Sequence, residues 1–224
     1  MYGTPDEKAH GRSSRRRHVP LAAVTALLLT GGLLLALGIG RQQPAPPTAT
    51  DKARPPAASR TQPPAPEPPA AALPASRPVS ITIPSLKVTS DLEQLGLGKN
   101  RAMETPKDPA KAGWYRPGVT PGAIGPSVIA GHVTWDGSPA VFFKLAELEP
   151  GDRIDVRRVD GRTAVFTVDR TAVHPKDDFP TVEVYRNLDH AGLRLITCGG
   201  DYSPDDSRYA DNVVVYASLT GSDV

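Results

Sequence analysis

Twelve prolines lie between Pro44 and Pro78. A stretch that dense in proline cannot form a helix or a central strand, because each ring removes a backbone donor and fixes φ. The rest of segment 41–77 is mainly Ala, Thr and Gln, with few residues able to build a core. Such a composition favours extended polyproline II, a semi-rigid spacer. The 25 prolines of this 224-residue chain therefore mark a tether and not a proline-rich fold. About 147 residues, 78–224, remain for a single folded unit, enough for one real core.

Upstream of the tether the chain reads in two steps. Residues 1–18 are polar and carry Arg12, Arg15, Arg16 and Arg17 near their end. Residues 19–40 contain no charge, and 22 apolar or small residues are long enough to cross a hydrocarbon core of about 30 Å as a helix. The arginines on the N-terminal side predict a cytoplasmic N-terminus and an exported C-terminus. A cleavable signal peptide is the rival reading, with Ala36, Gly38 and Gly40 as a weak small-x-small site. The apolar length favours a retained anchor in the cell membrane, with residues 41–77 as an extracellular stalk. A net charge of +2, without basic residues interleaved with aromatics, argues against nucleic-acid binding.

Past Pro78 short alternating segments are punctuated by turns. Residues 79–83, 127–132, 153–157, 163–168, 192–197 and 212–217 read as strands, and Asp160-Gly161 predicts a hairpin between the third and fourth. Helical candidates are few and short, mainly around 140–148. The pattern predicts a mostly β barrel or sandwich.

Within that unit one thiol stands out. Cys198 is the single cysteine of the chain, so it has no intramolecular disulfide partner in an oxidising compartment, and its presence there suggests chemistry. The bland reading is a small buried hydrophobe. A working thiol needs a base and a cation beside it. His10 and His18 precede the apolar segment, and His174 and His190 sit in plausible solvated turns. His132 ends an apolar strand, 66 positions before the cysteine, and Gly131 lets the backbone bend there. Arg208 is the one arginine after Cys198 and a candidate for stabilising negative charge on a carbonyl, with Arg194 as a weaker rival. A surface ion pair with Asp205 or Asp206 is the default expectation for such an arginine.

The anchor, the stalk, Ala130-Gly131-His132, Leu195-Ile196-Thr197-Cys198, and an arginine before a last strand together resemble a sortase. Residues 137–145 and 198–200, together with 209–217, resemble the class F subgroup of Gram-positive bacteria. The resemblance covers 78–224. It implies an eight-stranded sortase-like β-barrel with short helices and a cysteine transpeptidase that cleaves a Leu-Pro-x-Thr-Gly-like C-terminal sorting signal. By this resemblance Cys198 is the nucleophile, His132 the general acid and base, and Arg208 the group that holds the substrate backbone or the oxyanion. Thr197 matches the threonine before the cysteine and helps orient substrate. The implied partners are secreted proteins bearing the sorting signal, a cell-wall precursor amine as acceptor, and the lipid bilayer through 19–40. No cofactor is implied and no metal is expected, since the calcium-binding acidic loop of another sortase class is not evident. A pilin-polymerising enzyme with a lysine acceptor and a wall-facing binding module without catalysis are the alternatives. Another cell-wall cysteine enzyme fits less well, because here histidine precedes cysteine by a long interval.

Overall fold

The computed structural model describes residues 44–48, 70–99 and 101–224. The expected membrane span at 19–40 lies outside them, and no helix among the described residues is long and apolar enough to cross a membrane.

Ten strands are present among the described residues. They are β1 (Pro78–Ile83), β2 (Val88–Leu95), β3 (Ala112–Tyr115), β4 (Gly125–Ala130), β5 (Thr134–Trp135), β6 (Ser138–Pro139), β7 (Arg153–Arg158), β8 (Thr163–Pro175), β9 (Ala191–Ser203) and β10 (Arg208–Asp223). Eight of them close into a barrel in the order β1-β2-β3-β4-β9-β10-β8-β7, and β5 with β6 form a separate small hairpin. The one α-helix described, α1 (Thr181–Tyr185), lies in the connection between β8 and β9. The expected β-barrel with short helices is therefore present.

Alternation decides which side chains fill the barrel. Ile81 and Ile83 of β1, Ile129 of β4, Phe166 of β8, Leu193 and Leu195 of β9, and Val215 and Ala217 of β10 form one buried interior cluster. Their strand neighbours point the other way. Val128 and Ala130 of β4, Ile196 of β9, and Val214 and Tyr216 of β10 make a second cluster on the outer face, joined there by Val184 of α1. A sheet covered on both faces requires nearly continuous apolar runs, which is what β4, β9 and β10 supply. The β8–β9 connection is thus a lid of packed side chains over the outside of three strands.

The Asp160-Gly161 hairpin forms as expected, with Gly161 at φ +83° and β7 antiparallel to β8. Residues 140–148 do not form an α-helix. Only Leu145–Glu147 is helical, as a single 3₁₀ turn. The amides of Ala140 and Phe142 instead bond back to the carbonyls of Val133 and His132 at 3.0 Å each. The amides of Phe143, Leu145 and Glu147 bond three residues back, to Ala140, Phe142 and Lys144, which makes successive turns in place of an α-helix.

The end of the tether is held to the barrel by an arginine. The side chain of Arg158 is fully buried. It donates to Pro121 O at 3.0 Å, to Pro74 O at 2.7 Å and to the Asp160 carboxylate at 2.6 Å. Leu73 packs on the interior cluster and its amide bonds Gly122 O at 2.7 Å, so contact with the barrel begins upstream of Pro78. Gly122 has φ +94°, and a Cβ there would lie 2.8 Å from the Arg158 guanidinium. The same guanidinium holds the Asp160 carboxyl below its usual range. Replacing Arg158 with Met strands two carbonyls, and the expected cost is about 2–4 kcal/mol in urea unfolding. A loss under about 0.5 kcal/mol would show that the clasp contributes nothing net.

Candidate active site

Two parallel strands place the reactive side chains. β4 pairs with β9 so that Ala130 lies beside Ile196, and the Gly131 amide continues the ladder to Ile196 O at 3.1 Å. His132 and Cys198 each come two residues after that pair. Both share the alternation of Ala130 and Ile196, so both belong to the outer face, and both are half-buried.

His132 is fixed on several sides. Its Nε2–H donates to Pro106 O at 2.8 Å. A carbonyl can only accept, so the neutral ring carries its proton on Nε2 and Nδ1 keeps the free lone pair. The edge of Trp135 packs against the ring at a centroid distance of 4.9 Å. Gly131 does not show the positive φ that would demand glycine. Its role is close approach, since a Cβ there would lie 2.6 Å from the ring of Phe142, a fully buried residue. Thr197, beside the cysteine, donates from its hydroxyl to Gly131 O at 2.9 Å. It therefore ties the histidine segment to the cysteine strand.

Cys198 stands opposite Asn212 of β10. Just beyond it the β9–β10 register shifts, and Gly200 takes φ +74°, with space for a Cβ filled by the Asp211 carboxylate. The Cys198-Gly199-Gly200 run is thus a bulge that turns the strand away beyond the thiol. The sulfur accepts a hydrogen bond from Lys176 Nζ at 3.4 Å. Sequence reasoning missed this lysine. It lies 22 positions upstream in a turn, Lys176–Asp178, and only strand register brings it near the thiol.

Arg208 opens β10 opposite Ser203. It is four residues from Asn212, about 13 Å along a strand, and shares the alternation of that residue. Its guanidinium is half exposed and meets the Asp177 carboxylate at 3.7 Å, so its ion pair is with Asp177 and not with Asp205 or Asp206. Tyr209, next to it, is buried and shares a hydroxyl bond of 2.9 Å with Thr134. This links the start of β10 to the loop that follows His132. Arg194 is built into the floor, its guanidinium 4.6 Å from the Tyr216 ring centroid and its character as a cation weakened chiefly by burial. His174 meets the Tyr216 hydroxyl at 3.3 Å, and His190 bonds Asp189 in the exposed loop. Among the described residues no three His, Cys, Asp or Glu side chains group as a metal site.

On the same outer face, reaching to within four residues of His132 in the sequence, runs a groove of about 810 Å³. Val128 of β4 lies in its wall together with Met103, Tyr115, Phe179 and Tyr185. Burial raises the Tyr185 phenol above its ordinary range.

A sortase domain model matches residues 81–220, most of the chain and nearly all of the barrel. The chain belongs to the sortase family. Sortases are cysteine transpeptidases acting on proteins with a sorting signal and on an amine acceptor, and membership brings this activity class to the chain. Two sortase structures share the fold. Listeria monocytogenes sortase A is 24% identical with a TM-score of 0.50, over 65% of this chain and 89% of that one. A lid mutant of Corynebacterium diphtheriae sortase A is 22% identical with a TM-score of 0.51, over 66% and 73%. A search of curated proteins finds no match.

The Gly131 contact yields a sharp expectation for this sortase. Gly131→Ala forces the buried Phe142 ring aside and should cost about 1–3 kcal/mol of stability. Since Phe142 also bonds the His132 carbonyl, peptide cleavage should fall in the folded fraction as well. Wild-type activity and melting temperature in Gly131→Ala would contradict the close-approach role.

Proposed function

We propose that this sortase cleaves a Leu-Pro-x-Thr-Gly-like signal between Thr and Gly and passes the protein to a cell-wall amine. The observation that carries the reading is the β4–β9 register, in which His132 and Cys198 each follow the paired Ala130 and Ile196 by two residues, with a groove further along the same face. Val128 of the groove is four residues before His132. An extended segment of four residues spans roughly 13 Å, so a peptide with its leucine and proline in the groove brings its threonine carbonyl to the thiol. This supports apolar residues before the scissile bond.

The chemistry follows from the side chains. The thiol gives its proton to the imidazole, and the thiolate attacks the threonine carbonyl, forming an S–C bond and a tetrahedral oxyanion. The Thr–Gly C–N bond then breaks, and the protonated His132 delivers its proton to the departing glycine amine. A thioacyl-enzyme remains. The incoming amine loses a proton to His132, attacks the thioester and releases Cys198. Arg208 serves the substrate side, holding the peptide backbone or the oxyanion as a charge-assisted donor. Thr197 acts as a positioning residue through its bond to Gly131 O. The stalk at 41–77 and the segment at 19–40 hold the domain outside the cell membrane. The form of Gly137–Leu145 and Tyr209–Ala217 in the sequence supports a class F-like subtype.

Incubating the protein with a fluorogenic Leu-Pro-x-Thr-Gly peptide and a peptidoglycan-stem amine should give an acyl adduct on Cys198 by mass spectrometry, followed by transfer. Cys198→Ala and His132→Ala should each lower turnover at least about a thousandfold. Normal cleavage by Cys198→Ala would refute the mechanism. Faster transfer to a pilin-type lysine than to the stem amine would reassign the acceptor. Thr197→Val should cost about 1 kcal/mol of stability by losing one hydrogen bond, and it should reduce kcat more than it raises KM.

A further inference from the structure

The turn Lys176–Asp178 follows β8 and carries two side chains that reach the site. Lys176 Nζ meets the Cys198 sulfur at 3.4 Å, and Asp177 pairs with Arg208 at 3.7 Å. Register explains why the lysine is there. His174 of β8 pairs with Asn212 of β10, and Asn212 pairs with Cys198 of β9. The three residues form one row across the sheet, and Lys176 comes two residues after His174. Strand alternation would therefore project it on the same face as Cys198. Tyr216, on that face, also receives the Arg170 guanidinium 3.5 Å from its ring centroid, and Arg170 pairs with Glu183 of α1. The connection bearing Lys176 is thus fastened at β8 before it and at α1 after it.

A nucleophilic thiol must lose its proton, and a cation at hydrogen-bond distance stabilises the charge left on sulfur. Arg208 is poorly placed for that part. Its guanidinium is engaged by Asp177 at 3.7 Å, and the cation that meets the sulfur is Lys176. We propose that Lys176 is a further catalytic residue of this chain, the ammonium that stabilises the Cys198 thiolate, while Arg208 serves the peptide. The peptide half of this statement rests on the proposed transpeptidase reading. The thiol proton goes to the free Nδ1 of His132, and Lys176 keeps all three of its own. Other charged or titratable groups around this row include His132 after β4, His174 of β8, Asp177 and Asp178 in the turn, and Arg208 and Asp211 of β10. The sulfur-directed contact among them is that of Lys176.

Because Cys198 is the sole cysteine, iodoacetamide labelling of the full-length protein followed by mass spectrometry reads this thiol alone. At pH 7, Lys176→Met should slow alkylation by about tenfold and slow peptide cleavage by at least as much. Lys176→Arg should restore most of both rates, and Asp178→Asn in the same turn should leave both unchanged. Should Lys176→Met melt well below wild type, Lys176→Gln replaces it in the same comparison. Alkylation at the wild-type rate in the folded variant overturns the proposal. So does an arginine that restores neither rate, which would assign the loss to packing. A wild-type protein that cleaves no Leu-Pro-x-Thr-Gly peptide would refute the substrate reading, and the alkylation series would still decide the role of Lys176.

Discussion

The parallel pairing of β4 with β9 is the constraint on which the site depends. Residues 66 positions apart in sequence become neighbours only because Ala130 lies beside Ile196. A one-residue slip would send every side chain of one strand to the opposite face, and the imidazole and thiol would then face different compartments. The register is protected by burial on both sides. Ile129 and Leu195 must lie inside the barrel, and Ala130 and Ile196 must meet the outer cluster. The Thr197–Gly131 bond and the Gly131 amide add a last polar lock where the ladder ends.

Two-sided burial also explains where the groove can be. Most of the outer face of β4, β9 and β10 is covered by α1 and its flanking residues, fastened through Arg170, Glu183 and Tyr216. The reactive pair lies where that covering stops. Catalytic side chains at the ends of rigid strands, with variable segments arching over them, combine fixed geometry with an adaptable wall. Lys176 comes from such a segment and Arg208 from the start of β10, and one turn meets both the thiol and the arginine.

Much of this architecture is legible in the amino-acid order, and the parts that are not have physical causes. β1, β7 and the hairpin before β8 show as alternation around a glycine turn. The last strands are foreseen but run longer than their apolar centres, because β9 and β10 extend as paired ribbons through polar residues. β2, Val-Thr-Ser-Asp-Leu-Glu-Gln-Leu, is overlooked since much of it is only partly buried and its pattern is diluted by polar residues. β3 is four residues long and carries a glycine. Composition alone suggests a helix at 140–148, but the segment folds as successive turns tied to His132 and Val133, with bonds three residues back. Cys198 and His132 stand out because of residue type and motif. Lys176 has no such signature, and nothing local marks a lysine in an acidic turn as a neighbour of the thiol.

The arginine clasp just upstream of β1 bears on how the domain answers a mechanical load. A pull along the chain from upstream would reach Leu73, Pro74 and Arg77 before it reached β1. Those residues bond to Gly122 in the β3–β4 connection and to Arg158 and Val159 at the end of β7. The load would be divided among several bonds at once rather than peeling the first strand from its neighbours one rung at a time. Under such a pull the clasp would be strained before β1, and the catalytic face would be spared.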